Sequence, residues 1–170
     1  MASFKNQHYV PKCYLRQFAI GDARASVSLF NIDRQTCIPN ASVRHQCSGN
    51  YFYGEDLELE KLLQGMESRY DHVVKALVCS REAVTESQKV VLRYFAFLQP
   101  SRTEAAARRS MEFVSAMTMD ADIGYRATLK DAVQQSLAVF SDMVGLARDL
   151  KVCVVRNGSD TDFVTSDDPS

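Results

Sequence analysis

The chain has 170 residues, of which 46% are hydrophobic and 24% are charged, and its net charge is -1. This composition is typical of a globular protein, and the length fits one domain over residues 1–170 with a sizeable buried core. The balance of 20 basic and 21 acidic residues excludes a general attraction to nucleic acids or to anionic membranes.

The first residues lack the apolar stretch of a secretory signal, and no segment has the ~20 unbroken apolar residues that span a bilayer. The five cysteines are scattered and odd in number, which does not suggest a disulfide framework. We therefore expect a cytoplasmic protein with reduced thiols and no membrane partner. The sequence has no strong nucleic-acid signature and indicates no particular partner.

Short secondary-structure elements are predicted in the N-terminal third of the chain. Apolar residues at helical spacing indicate a short helix over residues 9–18. Residues 26–32 alternate as a strand does, and a turn at 33–36 leads to a second short strand near Cys37, so a β-hairpin is predicted. A loop and one further extended piece are expected over residues 41–53.

Four longer helices are predicted after this region. Residues 56–79 carry one continuous apolar stripe at helical spacing. Thr85 and Gln88 match the capping box of a second helix, which the Pro100-Ser101 pair is expected to end, with Ser101 available as the next cap. The third helix is predicted over residues 103–119 and the fourth over roughly residues 124–150.

The C-terminal residues predict a β-hairpin. Residues 152–156 are β-branched and apolar, Asn157-Gly158 is typical of a tight turn, and residues 163–165 begin a return strand. Two strands alone are marginally stable, so the hairpin is expected to be incomplete. The predicted fold class is α+β and predominantly α, with an N-terminal short helix and hairpin, a bundle of four longer helices and this C-terminal hairpin.

Five segments together resemble a widespread bacterial domain family of unknown function. The first is Asn6-Gln-His-Tyr-Val-Pro11, and the others, in order, are Tyr51-Phe-Tyr53, the acidic helix with Glu60 and Glu67, Gln99-Pro-Ser-Arg-Thr103 and Thr165-Ser-Asp-Asp-Pro169. The resemblance implies a shared α+β fold and an N-terminal histidine motif, and it implies no particular reaction, cofactor or substrate. The family pattern continues past the Ser-Asp-x-Pro motif, so the resemblance also implies that this chain lacks its C-terminal part.

His8 and two glutamates are the first candidate site residues. His8 precedes a helix start, where its imidazole could serve as acid, base or metal ligand, or could simply cap or pack against the helix. Glu60 and Glu67 are seven residues apart on the face that carries the apolar stripe. A carboxylate facing inward needs a partner. Arg102 or Arg93 could supply it in a structural ion pair, or the two glutamates could do acid/base or metal chemistry.

Arg102 and Asp167 complete the candidate set. Arg102 is predicted near the start of the third helix, where the helix dipole does not favour a cation. Either an acidic side chain or a bound phosphate or carboxylate would hold it there. Asp167 and its neighbour Asp168 follow a predicted strand, a common place for catalytic or metal-binding carboxylates. The Ser-Asp-x-Pro sequence is also an ordinary turn starter.

Familiar catalytic and metal motifs are missing from the sequence. It contains no P-loop, dinucleotide-binding, esterase or zincin signature. Cys37, His45 and Cys47 do not have a standard zinc spacing and lack an evident fourth ligand.

Two hypotheses follow. One is a small hydrolase or nuclease-like enzyme, in which His8 is acid or base, Glu60 and Glu67 do acid/base or metal work, Arg102 binds an anion and Asp167 adds a carboxylate. The cofactor stays open, and a divalent cation fits such a carboxylate set. The other hypothesis is a non-catalytic helical binding or regulatory module, in which the same residues form a structural polar network.

Overall fold

The computed structural model describes residues 5–55, 57–80, 82–118 and 129–168. The predicted α+β class with mainly helical content is confirmed. Short strands and one short helix come first, and longer helices follow. The described strands are β1 (Asn6–His8), β2 (Ala19–Ile20), β3 (Ser26–Asn31), β4 (Thr36–Ser42) and β5 (Ser48–Asn50), and the described α-helices are α1 (Lys12–Leu15), α2 (Glu58–Cys79), α3 (Glu86–Arg102), α4 (Glu104–Thr118) and α5 (Leu129–Met143).

The strands form two small antiparallel sheets. In the first sheet β1 pairs with β5, so that His8 lies opposite Ser48. In the second sheet β3 lies between β2 and β4, and the predicted hairpin corresponds to β3 and β4. The apolar residues of this N-terminal part form a core of their own, composed of Val10, Leu15, Val27, Ala41 and Val43.

The longer helices enclose a second core. α2 packs on α3, and α5 packs on both α3 and α4. Tyr53, which follows β5, is 1% exposed and belongs to this helical core. The end of the N-terminal part is therefore anchored among the helices. The other buried members of this core are Leu63, Leu98, Ala107, Ala132, Val133 and Leu137.

The first helix is shorter than predicted. α1 covers Lys12–Leu15 and continues as a 3-10 turn over Arg16–Phe18, whereas the prediction began at residue 9. Pro11 has extended backbone angles of φ -60° and ψ 141° and stands directly before the helix. Since proline also disfavours helical geometry in the residue before it, the helix cannot begin earlier than Pro11. Residues 9 and 10 form a bend, and residues 6–8 form the unpredicted strand β1.

The break at Pro100 is the second correction. The Thr85 and Gln88 capping box forms as predicted, but α3 runs through Pro100 to Arg102. Pro100 cannot donate a hydrogen bond to the preceding turn, and the helix nevertheless continues for two more residues. The cap of α4 is Thr103, whose Oγ1 accepts a hydrogen bond from the Ala106 N–H at 3.1 Å. The expected cap at Ser101 is wrong because Ser101 still lies inside α3.

The predicted C-terminal hairpin does not form. Residues 150–168 contain neither a helix nor a strand. Asn157 Oδ1 accepts the Ser159 N–H at 2.9 Å, so the Asn-Gly pair makes a local side-chain turn. Arg156 donates to the carbonyls of Leu77 and Ser80, at 3.1 and 2.7 Å. Those carbonyls end α2, where a cation is favourable. Contacts with the helices, not strand pairing, therefore position this segment.

The predicted fourth helix corresponds to α5 and a 3-10 turn over Val144–Asp149. Its expected beginning near residue 124 lies outside the described residues. Among the described helices, none combines the length and the apolar character that crossing a lipid bilayer requires.

Candidate functional site

Arg102 is the centre of a buried polar cluster between the N-terminal strands and the helices. It is the last residue of α3, at the opposite end of a helix from the one predicted, and it is 0% exposed. Its Nε donates to the Tyr53 hydroxyl at 3.0 Å, and its Nη2 donates to the His8 carbonyl at 2.9 Å and to Glu67 Oε1 at 2.8 Å. A cation suits the C-terminal end of a helix. The conflict with the helix dipole that the sequence suggested therefore does not arise.

Gln7 and Tyr53 join this cluster, and sequence reasoning did not select either of them. The fully buried Gln7 accepts the Tyr53 N–H through Oε1 at 2.6 Å and donates through Nε2 to the Gly54 carbonyl at 3.0 Å. The Tyr53 hydroxyl donates to the His8 carbonyl at 3.2 Å. Burial raises the pKa of Tyr53 to about 12, although the neighbouring Arg102 lowers it. Tyr53 is therefore a neutral hydrogen-bonding group.

His8 contributes its backbone to the cluster, while its imidazole is buried and neutral. The residue is 7% exposed. Burial, and then the positive charge of Lys12, lower the pKa of His8 to about 4, and hydrogen bonds with the backbone of Val43 and Arg44 offset this only in part. Within the described residues Nε2 has no hydrogen-bond partner. At neutral pH His8 is therefore a weak base, and it lacks the second ring proton that an imidazolium would give up as a general acid.

The two candidate glutamates of α2 lie in different environments. Glu67 makes the ion pair with Arg102 that the sequence suggested, and its side chain is 23% exposed. Glu60 accepts a hydrogen bond from Gln64 Nε2 at 3.3 Å. Burial raises the pKa of Glu60, as does the negative charge of Glu67, while the bond from Gln64 and the charge of Arg102 lower it. Glu67 is thus ion-paired, whereas the environment of Glu60 favours its protonated form.

At the C-terminal motif the aspartate that makes the contacts is Asp168. Thr103 Oγ1 donates to Asp168 Oδ1, and Arg109 Nη1 donates to Asp168 Oδ2 at 2.6 Å. The bond from Arg109 lowers the pKa of Asp168. The predicted residue Asp167 is exposed. Because Thr103 directly follows Arg102, the motif is joined to the edge of the cluster through Thr103 and not through Asp167.

The neighbouring thiols and one phenol are also held neutral. Burial, and then the negative charges of Asp167 and Glu104, raise the pKa of Cys47 to about 11. Burial is likewise the main reason why the pKa of Cys13 rises to about 12 and why that of Tyr9 rises. A nucleophilic cysteine needs a lowered pKa, so these environments do not activate either thiol.

Metal binding has limited support. Across the parts of the chain that the structure describes, no three His, Cys, Asp or Glu side chains are grouped so that they could hold a metal ion. Four buried polar groups still have atoms without a partner among those residues: His8 Nε2, Arg93 Nε, Arg102 Nη1 and both polar atoms of the Gln99 amide.

The structure thus brings three of the five predicted residues together. His8, Glu67 and Arg102 are hydrogen-bonded, Glu60 acts on the cluster through its charge, and Asp167 remains outside it. Sequence reasoning missed the roles of Gln7, Tyr53 and Thr103. Each offered a signal in the sequence: Gln7 stands beside His8, Tyr53 ends the aromatic run 51–53, and Thr103 follows Arg102. All three signals lie within segments on which the family resemblance rests.

Comparison with known proteins gives a family and no activity. No curated protein and no solved structure matches the chain. A family described as a protein of unknown function, DUF4238, matches residues 6–170. That range includes the N-terminal histidine motif, the segment that ends at Thr103 and the C-terminal Ser-Asp motif. The chain is therefore a member of the DUF4238 family of proteins of unknown function.

Proposed function

We propose that the chain is a non-catalytic binding module. In it, the buried hydrogen bonds of Arg102 to Tyr53, His8 and Glu67 hold the N-terminal strands against the helices, and we call this set of bonds the lock. The supporting observation is the complete burial of Arg102 together with its hydrogen bonds to Tyr53, His8 and Glu67. A guanidinium that grips a substrate anion must be open to it. Arg102 is 0% exposed and its charge is matched by Glu67 of the same chain, so its Nη1, which has no partner among the described residues, is closed off from a substrate.

The environment of His8 supports the same proposal. A general acid or base works best with a pKa near the operating pH, whereas the pKa of His8 is lowered to about 4. Its ring is also buried, which hinders contact with a substrate. In the lock, the part of His8 that matters is the carbonyl that accepts hydrogen bonds from Arg102 and Tyr53.

The lock also supports a single domain, and the cysteines support a cytoplasmic location. The bond between Arg102 and His8 spans 94 positions of sequence and ties the N-terminal strands to the helices. Such a tie favours one cooperative unit over residues 1–170. All five cysteines are free thiols, which fits a reducing compartment.

A second candidate function is a small hydrolase or nuclease-like enzyme, and the state of Glu60 favours it. Two carboxyl groups whose environments differ can divide the roles of acid and base. Glu60, with its raised pKa, would donate a proton, and Glu67 would act as the base or help to hold a divalent cation. Arg102 would then be a positioning residue that orients Glu67.

Calorimetry with metal ions separates these two functions. Wild type, Glu67→Gln and Glu60→Gln are titrated with Mn²⁺ and Mg²⁺ and assayed on p-nitrophenyl acetate, bis-p-nitrophenyl phosphate and single-stranded DNA. The binding module predicts no saturable metal heat and no hydrolysis above buffer in any of the three proteins. Metal binding or hydrolysis that is present in the folded wild type and lost in the folded Glu67→Gln variant would overturn the module.

A further inference from the structure

A groove of about 350 Å³ lies away from the Arg102 cluster, between the first turns of α3 and the segment that follows α5. Its size is at the lower end of the range for small-molecule sites, about 300 to 1,000 Å³. Its lining residues from α3 are Glu86, Lys89 and Arg93, and those from the other side are Arg148, Asp149, Leu150, Lys151 and Val152.

The groove carries an excess of positive charge. Four of its lining residues are basic and two are acidic, so the difference is +2. Lys89 and Glu86 neutralise each other through an ion pair of 2.7 Å. On the opposite side, neither Arg148 nor Lys151 makes an ion pair within the described residues. This part of the groove is therefore left with free cationic groups.

Arg93 adds a donor on the α3 side. Its Nε is buried and has no hydrogen-bond partner in the described parts of the chain. Arg93 also helps to lower the pKa of the exposed Glu86, after the larger effect of Lys89, so its charge reaches the mouth of the groove. A buried donor without a partner is unfavourable, and an acceptor bound in the groove would remove that cost.

We propose that this groove is a binding site for a phosphomonoester. A phosphomonoester carries about two negative charges at neutral pH, which matches the excess of +2. Its oxygens suit the planar donors of Arg93 and Arg148, and the ammonium of Lys151 adds a point charge. The apolar lining residues Leu150 and Val152 give the organic part of the ester a surface to contact.

This inference rests on the proposed binding module, because it supplies the ligand site that such a module needs. The two ideas are tested by different residues. The lock depends on Glu67 and Arg102, whereas the groove shares no residue with the cluster around them. A failure of phosphate binding would leave the metal titrations of the Glu67 variant unaffected.

The test is a calorimetric titration of the full chain with inorganic phosphate and with phenyl phosphate, at fixed ionic strength in chloride. The variants are Arg93→Gln and the double substitution Arg148→Gln/Lys151→Gln. The matched control is Arg108→Gln, which removes one exposed arginine that lies outside the groove and pairs with Glu104. Circular dichroism confirms that each variant is folded, and the double variant carries the test if Arg93→Gln does not fold.

We expect saturable binding that weakens at least about tenfold in each groove variant, a change of about 1.4 kcal/mol, and less than about twofold in the control. Tighter binding of phenyl phosphate supports an organic ester as the ligand, and equal binding of both probes supports the free ion. No saturation below about 10 mM, or an equal loss in the Arg108→Gln control, overturns the site.

Discussion

Replacing Arg102 with methionine should destabilise the protein strongly. The side chain is fully buried, and the substitution removes its hydrogen bonds to Glu67, Tyr53 and the His8 carbonyl. Breaking a buried ion pair by removing one partner costs about 3 to 5 kcal/mol. Because Glu67 is 23% exposed and can regain some hydration, we expect about 3 kcal/mol. For a domain of this size that lowers the melting temperature by roughly 6 to 12 °C.

Urea and thermal denaturation followed by circular dichroism measure this loss. The control is Arg108→Met, which breaks the exposed pair with Glu104 and should cost less than about 1 kcal/mol. In the double variant Arg102→Met/Glu67→Met neither charge is left unpaired, so its loss should be smaller than the sum of the two single losses by about 1 to 3 kcal/mol. A loss in Arg102→Met no larger than that of the control, or additive single losses, would refute the lock.

Three further predictions concern single positions. Burial lowers the pKa of His8 to about 4 from 6.5. Between pH 6.5 and pH 4 the unfolded state therefore binds more protons than the folded state, so the free energy of unfolding should fall as the pH falls through this range. We expect a loss of about 2 kcal/mol after allowance for screening. Urea unfolding at pH 7 and pH 4.5 should show that His8→Gln removes this part of the pH dependence, and equal pH dependence in both proteins contradicts it. Thr103→Ala should lower the unfolding free energy by about 1 to 2 kcal/mol, since it deletes the cap of α4 and the bond to Asp168. Thr103→Ser keeps a hydroxyl and should retain most of the wild-type stability, and an equal loss in both variants counts against capping. Leu57 precedes α2 in a left-handed conformation with φ 60°, so Leu57→Asn should raise the melting temperature, because asparagine tolerates this geometry and caps helices. Leu57→Ala keeps the cost of a Cβ in this conformation and should not raise it; a melting temperature of Leu57→Asn no higher than that of Leu57→Ala would argue against backbone strain.

Local patterns were enough to predict the long helices. The apolar spacing of α2 and the Thr85 capping box depend on residues within a few turns of each other, and α2 and the start of α3 form where they were predicted. β1 could not be found in this way. Its three residues pair with Ser48–Asn50, so the strand exists only because a distant segment lies beside it.

The C-terminal hairpin failed for a related reason. The Asn-Gly turn signal assumes that the flanking residues pair with each other. Arg156 instead bonds to the end of α2, and the Tyr14 hydroxyl lies 2.9 Å from Thr165 Oγ1. Long-range contacts of this kind leave no periodic trace in the sequence.

The candidate site was predictable in part. A glutamate on the apolar face of α2 requires a partner. This argument named Arg102 and Arg93 as possible partners of Glu60 and Glu67, and the pair that forms is Glu67 with Arg102. The roles of Gln7 and Tyr53 were not predictable, because a glutamine and a tyrosine carry no charge that demands a partner. Their burial depends on how the strands meet the helices. Asp167 and Asp168 could not be told apart because adjacent aspartates give the same sequence signal.

The bonds of Gln7 and His8 have a consequence for the order of folding. Gln7 is held by Tyr53 and Gly54, and His8 is held by a side chain 94 positions later. During synthesis from the N-terminus, these two residues emerge before every one of those partners. We therefore expect the contacts of the first strand to be completed late, once α3 has been made, although this strand is made before every other described element.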